Sequence, residues 1–485
     1  MSERHTEVLD AIDRVLDLLE TNEDVAYAEV GGVYQEKSDA VVTETGIRNS
    51  TAFPETGLWM RVFANGAADY RYTTTLTDEA LEDEVERAVR GGKYLAQETP
   101  ARVDTESMHR GVHDGWATAG VDEWSLDRKL DRVVGAFEDA TEGVAVERVR
   151  LTYTDAHIEQ SIVTTAGSSV RTVLDRAGIR TVLQPVDAPK IQRHHGSTRG
   201  LGFFDDLEDH FADVAESAAR LRAAGTTSPV GEHDVLLSPR AAGQLLAFVS
   251  RYLEQDVVYQ GLTPYEVGQQ IAADGLTVED TVHAGSWAAA AYDGECRPTH
   301  PVTLVQDGTV ENFLHNTVSA ADENVVPAGN AVQSVGFDNP PRVHARHLDV
   351  ASGDRPADEL RSNAAVYVAD FDEPWHDEEF ERVQRSGVMP PSVQYAKRVD
   401  EKTIDFSEVG RARLPIVEGY RLEDGERADR LDDVALAYDP ETLERITGIG
   451  RERTTVTGVD EKHKSQLPYA VTAPAMALRA SLVED

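Results

Sequence analysis

Residues 234–256 read DVLLSPRAAGQLLAFVSRYLEQD, a strand delivered into a helix at Ser238-Pro239. A serine before a proline forms an N-cap and first-turn pair: the hydroxyl accepts a backbone N–H and the proline supplies a pre-set φ. Beyond that turn Leu245, Leu246, Phe248, Val249, Tyr252 and Leu253 predict a helix continuing through Leu253, with packing residues on its inner face. A strand running directly into a buried helix marks a mixed fold, and the flanking sequence supports an α+β chain in two parts.

Upstream, GTTSPVGEH (225–233) is a polar break carrying Gly and Pro, and it divides an N-terminal α+β domain over 1–225 from a C-terminal β-rich domain over 233–485. The first part contains a faint repeat, 25–96 and 147–224. VVTETGIRNST (41–51) and IVTTAGSSVRT (162–172) both carry an apolar pair, a threonine and a glycine suited to a hairpin turn, Gly46 and Gly167. Further strand-like runs follow each, and helices predicted at 78–96 and 205–224 close the two units. Between them lies a linker with a helix over 124–138. The second part reads as short strands around a few helices, with Asp307-Gly308 and Asp424-Gly425 as tight turns.

Composition sets the outer bounds. The 485 residues hold 47 Lys+Arg against 87 Asp+Glu, a net charge of −40. Because the acids are spread along the whole chain, they read as a solvated, salt-adapted coat rather than a docking tail. Nucleic-acid binding is disfavoured, since phosphate contacts need clustered cations. Cys296 is the single cysteine, which excludes an internal disulfide framework and fits a reducing compartment. The first residues form an amphipathic helix (Val8, Ile12, Val15, Leu19) rather than a signal peptide, and no run approaches the roughly 20 apolar residues that span a bilayer. A cytoplasmic protein is expected.

The strand–turn–helix, together with the later blocks YDGECRP, LVQDGTVENFLHN, PAGNA and NPPRV and the segment RHHGSTRGLGFF (193–204), resembles the TldD/PmbA family, and the resemblance covers nearly the whole chain. In that family a catalytic metalloprotease subunit, TldD, pairs with a related subunit, PmbA or TldE. The resemblance implies a His-Glu-x-x-x-His zinc motif after the leucine pair in the catalytic branch, with a Cys near the C-terminus as third ligand. Here those places hold Ala247, Phe248, Tyr252 and Asp460. A lone carboxylate does not hold a hydrolytic zinc without imidazole partners.

The expectation is therefore a PmbA/TldE-like subunit, inactive alone and without a metal or other cofactor, that joins a TldD-like catalytic subunit or itself in a dimer devoted to peptide processing. By the same resemblance it walls part of a closed chamber, with Arg193, His194, Arg251 and Tyr252 as candidates to touch peptide. The family's description as a modulator of DNA gyrase gives no reason to expect DNA contact at this charge. Two rivals stand beside it: a metallopeptidase with an atypical zinc site using Asp460 and displaced histidines, and a homodimeric peptide-binding protein.

Other clusters read as structural. His344 and His347 have a spacing that sends their rings to opposite faces if the segment is extended. His376 lies among Asp377, Glu378 and Glu379 in an acidic turn, and His194 and His195 diverge on a strand. His283, His300 and His315 read as hydrogen-bonded or surface histidines. A Cys296/His300 pair lacks an orienting third group. No GxSxG elbow is present, and GGKYLA (91–96) lacks the glycine spacing of a phosphate loop.

Overall fold

The computed structural model describes residues 3–94, 102–103, 107–223, 225–334, 336–372, 409–462 and 464–485. The acidic turn with His376 lies outside these residues.

The chain opens with α1 (Glu3–Glu20), then β1 (Val25–Thr43), β2 (Gly46–Ala64), β3 (Ala67–Thr73) and α2 (Asp78–Tyr94). After β4 (Arg110–His113) and α3 (Leu126–Ala140), a second series follows: β5 (Val146–Thr164), β6 (Ser169–Pro185), β7 (Ile191–Ser197) and α4 (Leu207–Ala223). Both long hairpins turn at a glycine with positive φ, 100° at Gly46 and 91° at Gly167, a conformation that costs a residue without a Cβ little. The hairpins join through antiparallel pairing of β1 with β5, giving one seven-stranded sheet in the order β3-β2-β1-β5-β6-β4, with β7 also on β6. The segment predicted as helix 205–224 begins instead as a 3₁₀ turn, Gly200–Asp206, with α-helix only from Leu207.

Side chains alternate along a strand, so this sheet has two different faces. Ala28, Val30 and Tyr34 of β1 lie in a core with Val8, Ile12, Leu81 and Val85 of α1 and α2, while Leu151 and Tyr153 of β5 and Ile179 of β6 share one with Leu130 of α3. The other face, carrying Glu29, Val33, Gln35, Ile158, Gln160, Thr172, Leu174 and Arg176, is turned toward the second half of the chain.

That second half is built on a twelve-stranded sheet. Its axis is the strand Ser465–Glu484, which pairs antiparallel with Ile446–Lys462, with β9 (Gly231–Leu237) and with Val434–Tyr438, and parallel with His347–Val350. The short strand β8 (Thr226–Thr227) already belongs to this sheet.

α5 (Pro239–Ser250) lies across the sheet in a large hydrophobic core. Ser238 caps it as expected: its Oγ accepts from the Ala241 N–H at 3.0 Å and donates to the Ala369 carbonyl at 2.7 Å. The predicted run through Leu253 breaks, however. Arg251–Leu253 forms a 3₁₀ turn, and a new short helix, α6 (Gln255–Tyr259), follows. The break places Arg251 within reach of Asp460, and Glu254 and Asp256 within reach of Lys462.

The two halves are locked by a tryptophan seated on paired glycines. Gly178 of β6 and Gly196 of β7 face each other in register. A Cβ at Gly196 would stand 2.5 Å from the Trp287 ring, so only bare backbone admits the indole. The ring nitrogen of Trp287 donates to the Gly458 carbonyl at 2.9 Å.

Candidate functional site

The positions where the resemblance implies a zinc motif are filled by packing and by ion pairs. Phe248 and Tyr252 meet edge-on at 5.5 Å, and Tyr252 meets Tyr265 in the same way. Phe248 and Tyr252 are each only 2 % exposed. Ala247 is half-buried against the same core.

Asp460 stands nearby, and its Oδ1 accepts from Arg251 Nη2 at 2.6 Å. Burial works against the Asp460 charge, but Arg251 first, then His344 and Lys462, outweigh it and hold the carboxyl below its ordinary range. Beside this pair, Lys462 Nζ lies 2.5 Å from Glu254 and 2.7 Å from Asp256, and it also donates to the Val343 carbonyl at 2.8 Å. Glu254 is shared with His344 Nδ1 at 2.8 Å. Burial opposes the Lys462 charge, while Asp256 and Glu254 raise its pKa.

A guanidinium and an ammonium thus supply the positive charge that these buried carboxylates require. The zinc implied by the resemblance has no donor set here. Ala247 and Phe248 offer no ligand atom, Tyr252 is sealed in the core, and Asp460 is held by Arg251. The residues present do not fit that ion.

The four candidates for peptide contact are not brought together. Arg193, 3 % exposed, spans the two halves: it contacts Asp370 directly, Asp213 at 3.3 Å and Glu418 at 3.6 Å. Burial opposes its charge, but Asp370 followed by Asp213 and Glu418 raise its pKa. Arg193 ties the two halves of the chain together and has no open face. Tyr252 is a core residue, and Arg251 belongs to the Asp460 pair. His194 packs 5.0 Å from the Trp287 ring and bonds to Thr457 Oγ1 at 3.0 Å. Burial, then the neighbouring His195, push its pKa down to about 3, which keeps it neutral.

The remaining histidines separate as their spacing suggested. His344 faces Glu254, whereas His347 bonds to Ser286 and Thr472, each at 2.8 Å. Cys296 is buried among apolar side chains, its Sγ donates to the Ile162 carbonyl at 3.3 Å, and burial raises the thiol pKa well above its ordinary value. That is the environment of an inert thiol, not a nucleophile.

One cluster was invisible in the sequence. Asp122, His157 and Asp175 bring a ring nitrogen and two carboxylate oxygens within 4.8 Å of one another. His157 and Asp175 are cross-strand partners on β5 and β6, and Asp122 arrives from the 3₁₀ turn Val121–Glu123. His157 Nδ1 already lies 2.9 Å from Asp175 Oδ1, which also accepts the Val121 N–H at 3.1 Å.

A cleft lies between the inner face of the first sheet and residues 288–294, 329–334 and 336–337 of the second half. It adjoins the ion cluster: Arg346 lines it two residues after His344, and Pro468 lines it opposite Val459, beside Asp460. Behind its wall, Arg61 is fully buried and bridges Glu29 at 2.5 Å and Glu295 at 2.6 Å.

Comparison with known proteins agrees with this fold. The family profile described as PmbA/TldA metallopeptidase C-terminal domain matches residues 230–483. A metalloprotease of Methanothermobacter thermautotrophicus is 23% identical over 482 residues, covering 96% of this chain and 97% of that protein. A metalloprotease of Methanocaldococcus jannaschii is 19% identical, covering 88% and 89%. Among solved structures, TldE from Thermococcus kodakarensis superposes with a TM-score of 0.69 at 13% identity over 98% of this chain and 100% of that one. A Thermotoga maritima protein named for modulation of a DNA gyrase gives 0.70 at 17% identity, again over 98% and 100%. With more than half its length matched by the profile, the chain belongs to the PmbA/TldA metallopeptidase family.

Proposed function

We propose that this protein is a PmbA/TldE-like, non-catalytic subunit of a peptide-processing metalloprotease, acting beside a TldD-like catalytic chain. The observation that carries the reading is the Arg251–Asp460 pair at 2.6 Å, set beside Ala247, Phe248 and Tyr252. Where the catalytic branch would place imidazoles and a general base, this chain places aliphatic and aromatic packing, and a guanidinium occupies the remaining carboxylate. Hydrolysis of a peptide bond by a metal needs an open coordination position and a base for the bound water. A buried ion pair provides neither. The contribution left to such a chain is to build and support the enclosure in which a partner cuts.

The test is co-expression with a TldD-like catalytic subunit, followed by isolation of the complex and cleavage of short peptides. A stable complex whose cleavage depends on the partner's metal ligands, with no tightly held zinc in this chain alone, is the expected result. Stoichiometric zinc in the isolated chain together with chelator-sensitive peptidase activity would replace the proposal with an active enzyme. His157→Ala would then show whether the Asp122–His157–Asp175 cluster holds the ion.

A further inference from the structure

We propose that the cleft between the two halves of the chain is a receptor for a carboxylate borne on an apolar body, with Arg176 as the group that contacts the anion. The inference stands apart from the proposed subunit role and needs only the cleft.

Charge arrangement singles out Arg176. Most buried arginines of this acidic chain are matched to carboxylates: Arg61 to Glu29 and Glu295, Arg193 to Asp370, and Arg346 to Asp280. Arg176 has no hydrogen bond and no acidic partner among the described residues, and its Nε is buried and unbonded. Burial alone acts on it and lowers its pKa to about 10, so it remains charged at neutral pH. A half-buried cation without a counter-charge is costly and is relieved when an anion arrives.

The surroundings hold the cation in place. Its guanidinium carbon lies 5.2 Å from the Trp287 ring centre, and that indole is fixed by the Gly458 carbonyl. Arg176 lines the cleft from the same sheet face as Leu174, Ile158 and Gln160.

Unused polar atoms converge on the same space. Arg346 lines the cleft with an unbonded Nη1 while its other nitrogens are held by Asp280, and Gln333 brings an unbonded Oε1. The acid in the wall, Asp293, has its oxygens taken by the backbone N–H groups of Glu295, Arg297 and Ala331. The rest of the lining, including Trp116, Tyr292 and Phe337, is largely apolar or aromatic and suits the body of a small acylated amino acid or the end of a peptide. Salt screens the repulsion between an incoming anion and the −40 net charge at longer range, whereas the contact at Arg176 is within reach of direct hydrogen bonding.

The experiment titrates the full chain with N-acetyl-phenylalanine and with its amide by calorimetry, and repeats both on Arg176→Met and Arg176→Lys. A third arm compares a short peptide ending in phenylalanine with the same peptide C-terminally amidated. The expected result is that the free acid binds at least about tenfold tighter than the amide, and that R176M removes this preference while R176K keeps part of it. Binding of the peptide acid but not the acetylated amino acid places the source of the carboxylate in a chain end; binding of both places it in any small acid. Equal binding of acid and amide to the unsubstituted protein, or no binding of either acid up to about 10 mM, overturns the proposal whatever the variants do.

Discussion

Replacing Arg251 by Met deprives Asp460 of the cation 2.6 Å away while keeping most of the packing volume. Removing one partner of a buried pair costs about 3–5 kcal/mol, because the other charge is left in a poor solvent. The figure here is smaller: the Arg251 side chain retains 17 % exposure, and His344 and Lys462 still favour the Asp460 charge. We expect about 2–4 kcal/mol. At about 2–4 °C per kcal/mol for a domain of this size, melting should fall by roughly 4–16 °C.

The double variant Arg251→Met/Asp460→Val should recover most of the loss, since removing both charges leaves nothing buried and unpaired. The pH dependence has a definite sign. In the native protein the Asp460 pKa is depressed, so its stabilising contribution is present above the unfolded value and is lost as pH falls through the folded one. Without Arg251 the carboxylate loses the largest of the charges that favour it and becomes easier to protonate. The deficit of R251M should then be greatest near neutral pH and shrink as pH falls toward the ordinary aspartate range near about 4. Thermal melts across this range, followed by near-UV circular dichroism, read the effect. An R251M protein that melts within a degree of the unsubstituted chain, or a double variant that melts lower than the single one, would refute the reasoning.

Gly196→Ala should lower stability by about 1–3 kcal/mol in urea titrations, because a Cβ there would lie 2.5 Å from the Trp287 ring. Glu29, pushed up to about 7 mainly by burial, gives the opposite pH trend from Asp460: its contribution is complete below the unfolded value near 4.5 and is lost as pH rises through about 7. Glu29→Gln should therefore flatten the fall in stability between about pH 5 and pH 8, measured as urea midpoints. The net charge of −40 predicts that melting rises as KCl increases from about 0.1 to 2 M, with the steepest gain at the low end where screening changes most.

The parts legible in the sequence were those that local rules decide. Gly46 and Gly167 announced their hairpins, Ser238-Pro239 announced the start of α5, and the apolar series from Leu245 announced a buried face. Absence of the zinc motif could be read residue by residue once its place was fixed. What filled that place could not, because Arg251 and Asp460 are 209 residues apart and the turn that aims Arg251 arises where the helix leaves its sheet. Arg193 was misjudged for the same reason: its partner Asp370 lies 177 residues away, so a cation that looked available is consumed by a contact between the two halves of the chain. Arg176 carries the converse lesson. Nothing in RTVLDRAGIR (171–180) distinguishes it from Arg171, which is ion-paired with Glu159, and only the assembled sheet shows which of the two lacks an acid.

The strand Ser465–Glu484 bears on how the molecule is made. The first sheet is complete by Ser197, so a growing polypeptide can settle its amino-terminal half early. The second sheet lacks its axis until Ser465–Glu484 has been synthesised, and β9, made more than two hundred residues before, waits with one edge uncovered. A nascent chain arrested at residue 464 should show slow hydrogen exchange in β1 and β5 and fast exchange in β9. Slow exchange in β9 at that stage would mean that another segment covers its edge first.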